Sequence, residues 1–218
     1  LTIEVPGDIS SAAFLLVVGA IVPAAKLTIT SVGINPTRTG VLDVLRAMGA
    51  TIREETPREE QGEPLADLTV EQRSLRPTRI AGALIPRLID ELPVLAVAAT
   101  QAEGVTEVRD AAEMRVKETD RIATVAAELD KLGAHIEPLP DGFRVYGPTP
   151  LRGARVDSHG DHRIAMALAV AALVADGDTL ITDTACIDDS FPGFAAALTA
   201  LGARVEAVSA ASVEADGR

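Results

Sequence analysis

LRAMGATI (Leu45–Ile52), LDKLGAHI (Leu129–Ile136) and LTALGARV (Leu198–Val205) are one phrase written three times: Leu-x-x-(Met/Leu)-Gly-Ala-x-(Ile/Val). A phrase recurring along a chain is the mark of a fold assembled from copies of one supersecondary unit. Upstream of each copy, at a nearly constant separation, an aspartate opens an apolar stretch: Asp8 in GDISSAAFLLVV, Asp90 in IDELPVLAVAAT and Asp161 in GDHRIAMALAVAA. Between the two landmarks lies a short alternating segment, KLTITSV, GVTEVRD or DTLITD, that reads as a strand. Beyond each Gly-Ala, TIREE, HIEPL and RVEAV read as a further strand, and the first two copies add DLTVE and FRVYG. Each unit is therefore expected to run strand, helix, strand, helix, strand, strand, with the last copy trimmed. Helices between strands call for crossover connections and parallel pairs.

The expected architecture is α/β (α+β by some schemes), a single domain over residues 1–218 with three pseudo-symmetric βαβαββ units at about 1–74, 75–147 and 148–208. The polar segment Glu55 to Leu65, with two prolines, is expected to be a surface excursion, and SVEADGR at the end a frayed tail. The chain opens on Leu1, not Met, so it is expected to be a piece of something longer.

Composition narrows the function. Hydrophobic residues make up 47% of the 218 and charged residues 24%, a globular balance. Aromatics are only 2%, which argues against stacking on single-stranded nucleic acid. A net charge of −12 argues against a nucleic-acid or anionic-membrane surface while leaving room for a small anion held by local positive charge. Cys186 is the sole cysteine, so no internal disulfide forms and a cytoplasmic setting is the default. The apolar runs at 12–25, 92–100 and 164–175 fall short of the roughly 18–20 residues that span a bilayer and read as buried helices.

Local positive charge is concentrated in RVKETDR, Arg115–Arg121. It leads into an amphipathic helix in which Ile122, Val125, Ala126, Leu129 and Leu132 keep the helical spacing and Gly133 supplies the stop. On a helix starting here, Lys117 and Arg121 lie one turn apart with Glu118 beside them, so two cations and a carboxylate project together from the first turn. One reading is a solvated face with i,i+4 pairs. The other is an anion site, because basic residues at a helix start oppose its dipole unless an anion binds there.

The aspartates that open the apolar helices are expected at one end of the domain. Asp8 reads as an N-cap. Asp90, flanked by apolar residues apart from Arg87 and Glu91, reads equally as a cap or as a partly desolvated base. Asp161-His162-Arg163 again puts a cation, Arg163, in a first turn, where it makes sense over an anion. His159, Asp161 and His162 lack a nearby third histidine, which disfavours a metal. Cys186 reads as a small buried thiol rather than a nucleophile. NPTRTG (Asn35–Gly40) fits a phosphate loop no better than an ordinary turn and cap.

VPGDISSAAF, NPTRTGVLDVLRAMGA, PRLIDELPVLAVAAT, RVKETDRI, SHGDHRIAMA and DSFPGF, in this order and over roughly Val5 to Val205, resemble the C-terminal domain of the 5-enolpyruvylshikimate-3-phosphate synthase family. The resemblance implies a half of the two-domain enolpyruvyl transferase fold, each domain built from three such units. The N-terminal domain, with the family's lysine-serine and asparagine-alanine-glycine-threonine motifs, is implied as the missing partner. The implied reaction moves the enolpyruvyl group of phosphoenolpyruvate to the 5-hydroxyl of shikimate 3-phosphate and releases phosphate. By the same resemblance Asp90 is the base for that hydroxyl, and Glu118 the acid for the methylene carbon. Lys117 binds shikimate 3-phosphate between the substrates. Arg121 and Arg163 clamp phosphoenolpyruvate, with Asp161 and His162 beside them. No metal or organic cofactor is implied, the full-length enzyme is expected to be monomeric, and the isolated domain is expected to be inactive. Asp189 departs from one branch of the family, which carries a lysine there. The rival readings are a UDP-N-acetylglucosamine enolpyruvyl transferase domain and a non-catalytic repeat scaffold.

Overall fold

The computed structural model describes residues 5–208. In chain order the elements are α1 (Ile9–Ile21), β1 (Lys26–Gly33), α2 (Gly40–Ala47), β2 (Thr51–Glu60), β3 (Glu63–Glu71), β4 (Arg79–Ile80), α3 (Leu92–Thr100), β5 (Gly104–Val108), α4 (Arg121–Lys131), β6 (His135–Leu139), β7 (Gly142–Gly147), β8 (Arg155–Asp157), α5 (His162–Ala172), β9 (Leu180–Thr182) and α6 (Phe194–Ala200). The sheets are β1-β3-β2, β4-β5-β7-β6 and β8-β9.

The apolar helices form the crossovers. α3 joins the parallel pair β4 and β5, α5 joins the parallel pair β8 and β9, and α1 lies between the parallel bridge partners Gly7 and Val32. In the first two sheets the last strand folds back antiparallel between its predecessors, β3 between β1 and β2 and β7 between β5 and β6. α1, α3 and α5 have no polar face to offer water, and they pack against one another at the centre. All nine residues of α3 are buried. Phe14 of α1 meets Phe194 of α6 edge-on, with ring centroids 6.0 Å apart.

The structure explains the repeated phrase. α2, α4 and α6 each end at its glycine, and Gly49, Gly133 and Gly202 take φ of 96°, 88° and 99°. The amides of Ala50, Ala134 and Ala203 then donate back to the carbonyls of Leu45, Leu129 and Leu198. This is the Schellman cap, whose left-handed residue is best filled by glycine. Leu-x-x-x-Gly-Ala is thus a helix stop written three times.

Two expectations are corrected. Glu55 to Leu65 is not an excursion, because β2 and β3 run on into a hairpin closed at Gln61-Gly62, with Glu60 opposite Glu63 and Arg58 opposite Leu65. A bulge at Thr56 (φ 48°) and Pro57 bends β2, and Arg58 pins the hairpin through Ser31 Oγ at 2.6 Å and Asp67 at 3.7 Å. RVEAV is not a strand, and residues 203–208 carry no regular structure. The third copy has no counterpart of DLTVE or FRVYG in the described residues, so this segment has no ladder to join. SVEADGR lies outside the described residues. No helix among the described residues is long and apolar enough to cross a membrane.

Candidate active site

The N-terminal ends of α1, α3 and α5 meet at one end of the core. From α5, Arg163 Nη1 stands 3.7 Å from Glu91 Oε1 at the start of α3. From α1, Ser10 Oγ lies near the same carboxylate and accepts from Arg38 at 2.9 Å. Asp8 caps α1 through Ser11 N at 2.8 Å. Asp161 caps α5 through the amides of Arg163 and Ile164.

Asp90 is not a cap. It sits in a 3₁₀ turn, Ile89–Glu91, ahead of α3, whose start carries no side-chain cap bond. Pro93 in that first turn has no N–H to donate, which leaves a cap less to satisfy. Of the two readings, cap and base, the cap falls away, and the Asp90 side chain is one-third exposed (32%).

The stretch RVKETDR does not form one helical face. Asp120 accepts from Ala123 N and starts α4 at Arg121, so Lys117 and Glu118 lie in the preceding bends. The helical spacing extends upstream of Asp120, but the cap wins because it satisfies an otherwise free amide. Arg115 and Asp120 are structural: they pair at 2.6 Å, and Arg115 also donates to the carbonyls of Leu139 and Pro140. Lys117, Glu118 and Arg121 nonetheless converge, by way of the loop.

Arg121 is the centre of that convergence. Its side chain is 1% exposed and enters a cage of three carboxylates. Nε and Nη2 grip Asp161 at 2.8 and 3.2 Å, Nη1 donates to Asp90 at 2.9 Å, and Nη2 donates also to Glu118. The fixed fork of guanidinium donors suits this arrangement, and a lysine ammonium does not reproduce it. Lys117 Nζ completes the group, 3.5 Å from Asp90 and 3.2 Å from Glu113. Thr119 Oγ1 donates to Asp161 at 3.1 Å. His162 stands beside Arg163 in the first turn of α5.

The charges set the proton states. Burial pushes the Asp90 carboxyl up, but Arg163, Lys117 and Arg121 together outweigh it and hold Asp90 below the ordinary carboxylate value. Burial acts the same way on Asp161, and hydrogen bonding and charge from Arg121 bring it down. Burial pushes Glu91 up, only partly opposed by Ser10 and Arg163. For His162, burial and then Arg163 favour the neutral ring. The depressed carboxylates contribute stability that is present above their unfolded value of about 4 and lost as pH falls through their folded values. Thermal melts below about pH 4 are expected to show this acid limb, and Asp161→Asn to flatten it. An unchanged acid limb in Asp161→Asn contradicts the cage.

The remaining candidates fall outside this cluster. His159 Nε2 lies 3.0 Å from Glu128 Oε1, and the described residues contain no group of three His, Cys, Asp or Glu arranged to hold a metal. Cys186 is half-buried against Ser158, and burial pushes its thiol up, away from nucleophilic character. Asp189 is exposed at the end of a 3₁₀ turn, Thr184–Asp189. Sequence reasoning passed over Glu91, Thr119 and Glu113. Glu91 carried a signal, an acidic residue at the mouth of a wholly apolar helix.

A cluster with an ionised carboxylate, a second carboxylate, two arginines at helix starts and a lysine in the loop beside them can bind an anion and move protons beside it. The family model for EPSP synthase (3-phosphoshikimate 1-carboxyvinyltransferase) matches residues 1–198. The 3-phosphoshikimate 1-carboxyvinyltransferase of Desulforudis audaxviator is 58% identical over 199 residues, 91% of this chain and 46% of that protein. The corresponding protein of Gloeobacter violaceus is 60% identical over 193 residues, 88% of this chain and 45% of that protein. EPSP synthase from Acinetobacter baumannii superposes with a TM-score of 0.92 at 40% identity, over 95% of this chain and 48% of that one. The enolpyruvyl transferase NikO from Streptomyces tendae, at 23% identity and a TM-score of 0.75, shares the fold. The chain spans about half the length of the curated relatives it matches. It belongs to the EPSP synthase family.

Proposed function

We propose that this chain is the C-terminal half of an enzyme that transfers the enolpyruvyl group of phosphoenolpyruvate to the 5-hydroxyl of shikimate 3-phosphate, a step of aromatic amino-acid biosynthesis in the cytoplasm. The observation that carries the proposal is the meeting of Asp90, Lys117, Glu118, Arg121 and Asp161 at one point. Asp90, ionised and close to the surface, takes the proton of the 5-hydroxyl as its oxygen attacks C2 of phosphoenolpyruvate. Glu118 gives a proton to C3 in the same addition, which yields a tetrahedral adduct. Return of a proton from C3 to the Glu118 carboxylate and cleavage of the bond between C2 and the phosphate oxygen then restore the enol ether and release phosphate.

The cations supply the rest. Arg121 and Arg163 take the anionic groups of phosphoenolpyruvate, and Lys117 takes shikimate 3-phosphate. An anion drawn to Arg121 competes with its carboxylate partners, Glu118 among them. Asp161, fully buried, anchors Arg121 through Nε and Nη2, and His162 borders the anion site as a neutral donor. The other substrate contacts come from an N-terminal half, and the two halves form a monomeric enzyme. Without that half the chain binds its substrates incompletely and is inactive.

The acceptor is the decisive property. With the N-terminal half of the Desulforudis audaxviator relative supplied, mass analysis of products formed from phosphoenolpyruvate is expected to find the enolpyruvyl ether of shikimate 3-phosphate and none with UDP-N-acetylglucosamine. The reverse outcome replaces this reading with the rival transferase.

A further inference from the structure

Glu91 has no part in the reaction described above, yet it lies in its midst. The residue is 2% exposed at the junction of the three central helices. Among the described residues, its Oε1 is one of two buried side-chain oxygens without a hydrogen-bond partner. A buried acceptor left unmatched costs its full desolvation, so its retention calls for a reason. The nearest cation is Arg163, whose Nη1 at 3.7 Å is within ion-pair range but beyond hydrogen-bond range, while Arg38 acts from behind Ser10 Oγ, to which it donates at 2.9 Å. The other carboxylates of the cluster are already engaged: Asp161 grips Arg121, and Asp90 is shared between Arg121 and Lys117. Glu91 is the carboxylate in ion-pair range of Arg163, which acts on Asp90 from farther off.

We propose that Glu91 is the positioning residue for Arg163, holding one edge of the guanidinium so that the other edge faces the substrate anion. This rests on the reading of Arg163 as part of an anion clamp. A guanidinium offers two edges, and anchoring one reduces the freedom lost when the other closes on a carboxylate or phosphate. Burial of Glu91 suits the role, since water does not compete for that acceptor.

The test uses E91Q, R163A and their double variant in this chain combined with its N-terminal half. E91Q keeps the shape of the side chain and removes its charge. It is expected to raise the KM for phosphoenolpyruvate about tenfold, with kcat and the KM for shikimate 3-phosphate within about twofold of native. In the R163A background E91Q is expected to add less than about twofold. E91D, which keeps the charge but draws it back by one methylene, moves the same KM in the same direction by less. A native KM in E91Q, or effects that multiply in the double variant, overturns the role of Glu91. If R163A itself leaves the KM for phosphoenolpyruvate unchanged, the clamp reading fails and this inference falls with it. If R163A raises that KM and E91Q does not, the clamp stands and Glu91 alone is wrongly assigned.

Discussion

Replacing Arg121 with alanine is expected to cost about 3–5 kcal/mol of stability and to abolish turnover. Asp161 is 0% exposed and relies on Arg121 for its compensating charge, while Asp90 and Glu118 both accept from the same guanidinium. Without it, three carboxylates face one another with Lys117 and Arg163 as the cations left in the cluster. The cost is that of a buried charge left unpaired, not of a surface ion pair, whose loss is worth about 0–1 kcal/mol. Arg121→Lys restores the charge but cannot address three carboxylates at once, and is expected to recover only part of the stability. Urea denaturation checks both variants. A native midpoint in Arg121→Ala contradicts the cage.

Asp90→Asn and Glu118→Gln are each expected to lower turnover by more than about 100-fold, the usual scale for a general acid or base. Both substitutions are nearly isosteric, and both side chains are partly exposed, 32% for Asp90 and 46% for Glu118, so the fold should tolerate the loss of charge. Steady-state rates of phosphate release separate this from a structural effect when melting temperatures stay close to native. Near-native turnover in either variant reassigns that carboxylate to holding Arg121 in place.

What could be read in the sequence was what local chemistry determines. The Leu-x-x-x-Gly-Ala phrase is a helix cap closed within six residues, so three copies announced three helices before any packing was known. Asp8 as a cap was legible for the same reason. The bonds that make the site are not local. Arg121 and Asp161 lie 40 positions apart, and no periodicity connects them. The resemblance brought the two residues into one site, but not the cage in which Arg121 holds Asp90, Glu118 and Asp161 together. RVEAV has the composition of a strand and no partner, which propensity alone does not reveal. The polar run from Glu55 disguised a hairpin whose exposed faces carry its charge. Lys117 and Glu118 continued the helical spacing of α4 but lie upstream of its cap, a competition settled at Asp120.

The central claim is that this chain holds the acid, the base and the anion clamp of an active site completed by another half. Its most direct test is phosphate release from phosphoenolpyruvate and shikimate 3-phosphate, measured with this chain alone, with the N-terminal half alone, and with the two mixed. Release only in the mixture is the predicted result. Release by this chain alone, or none from a mixture in which the two halves demonstrably associate, contradicts it.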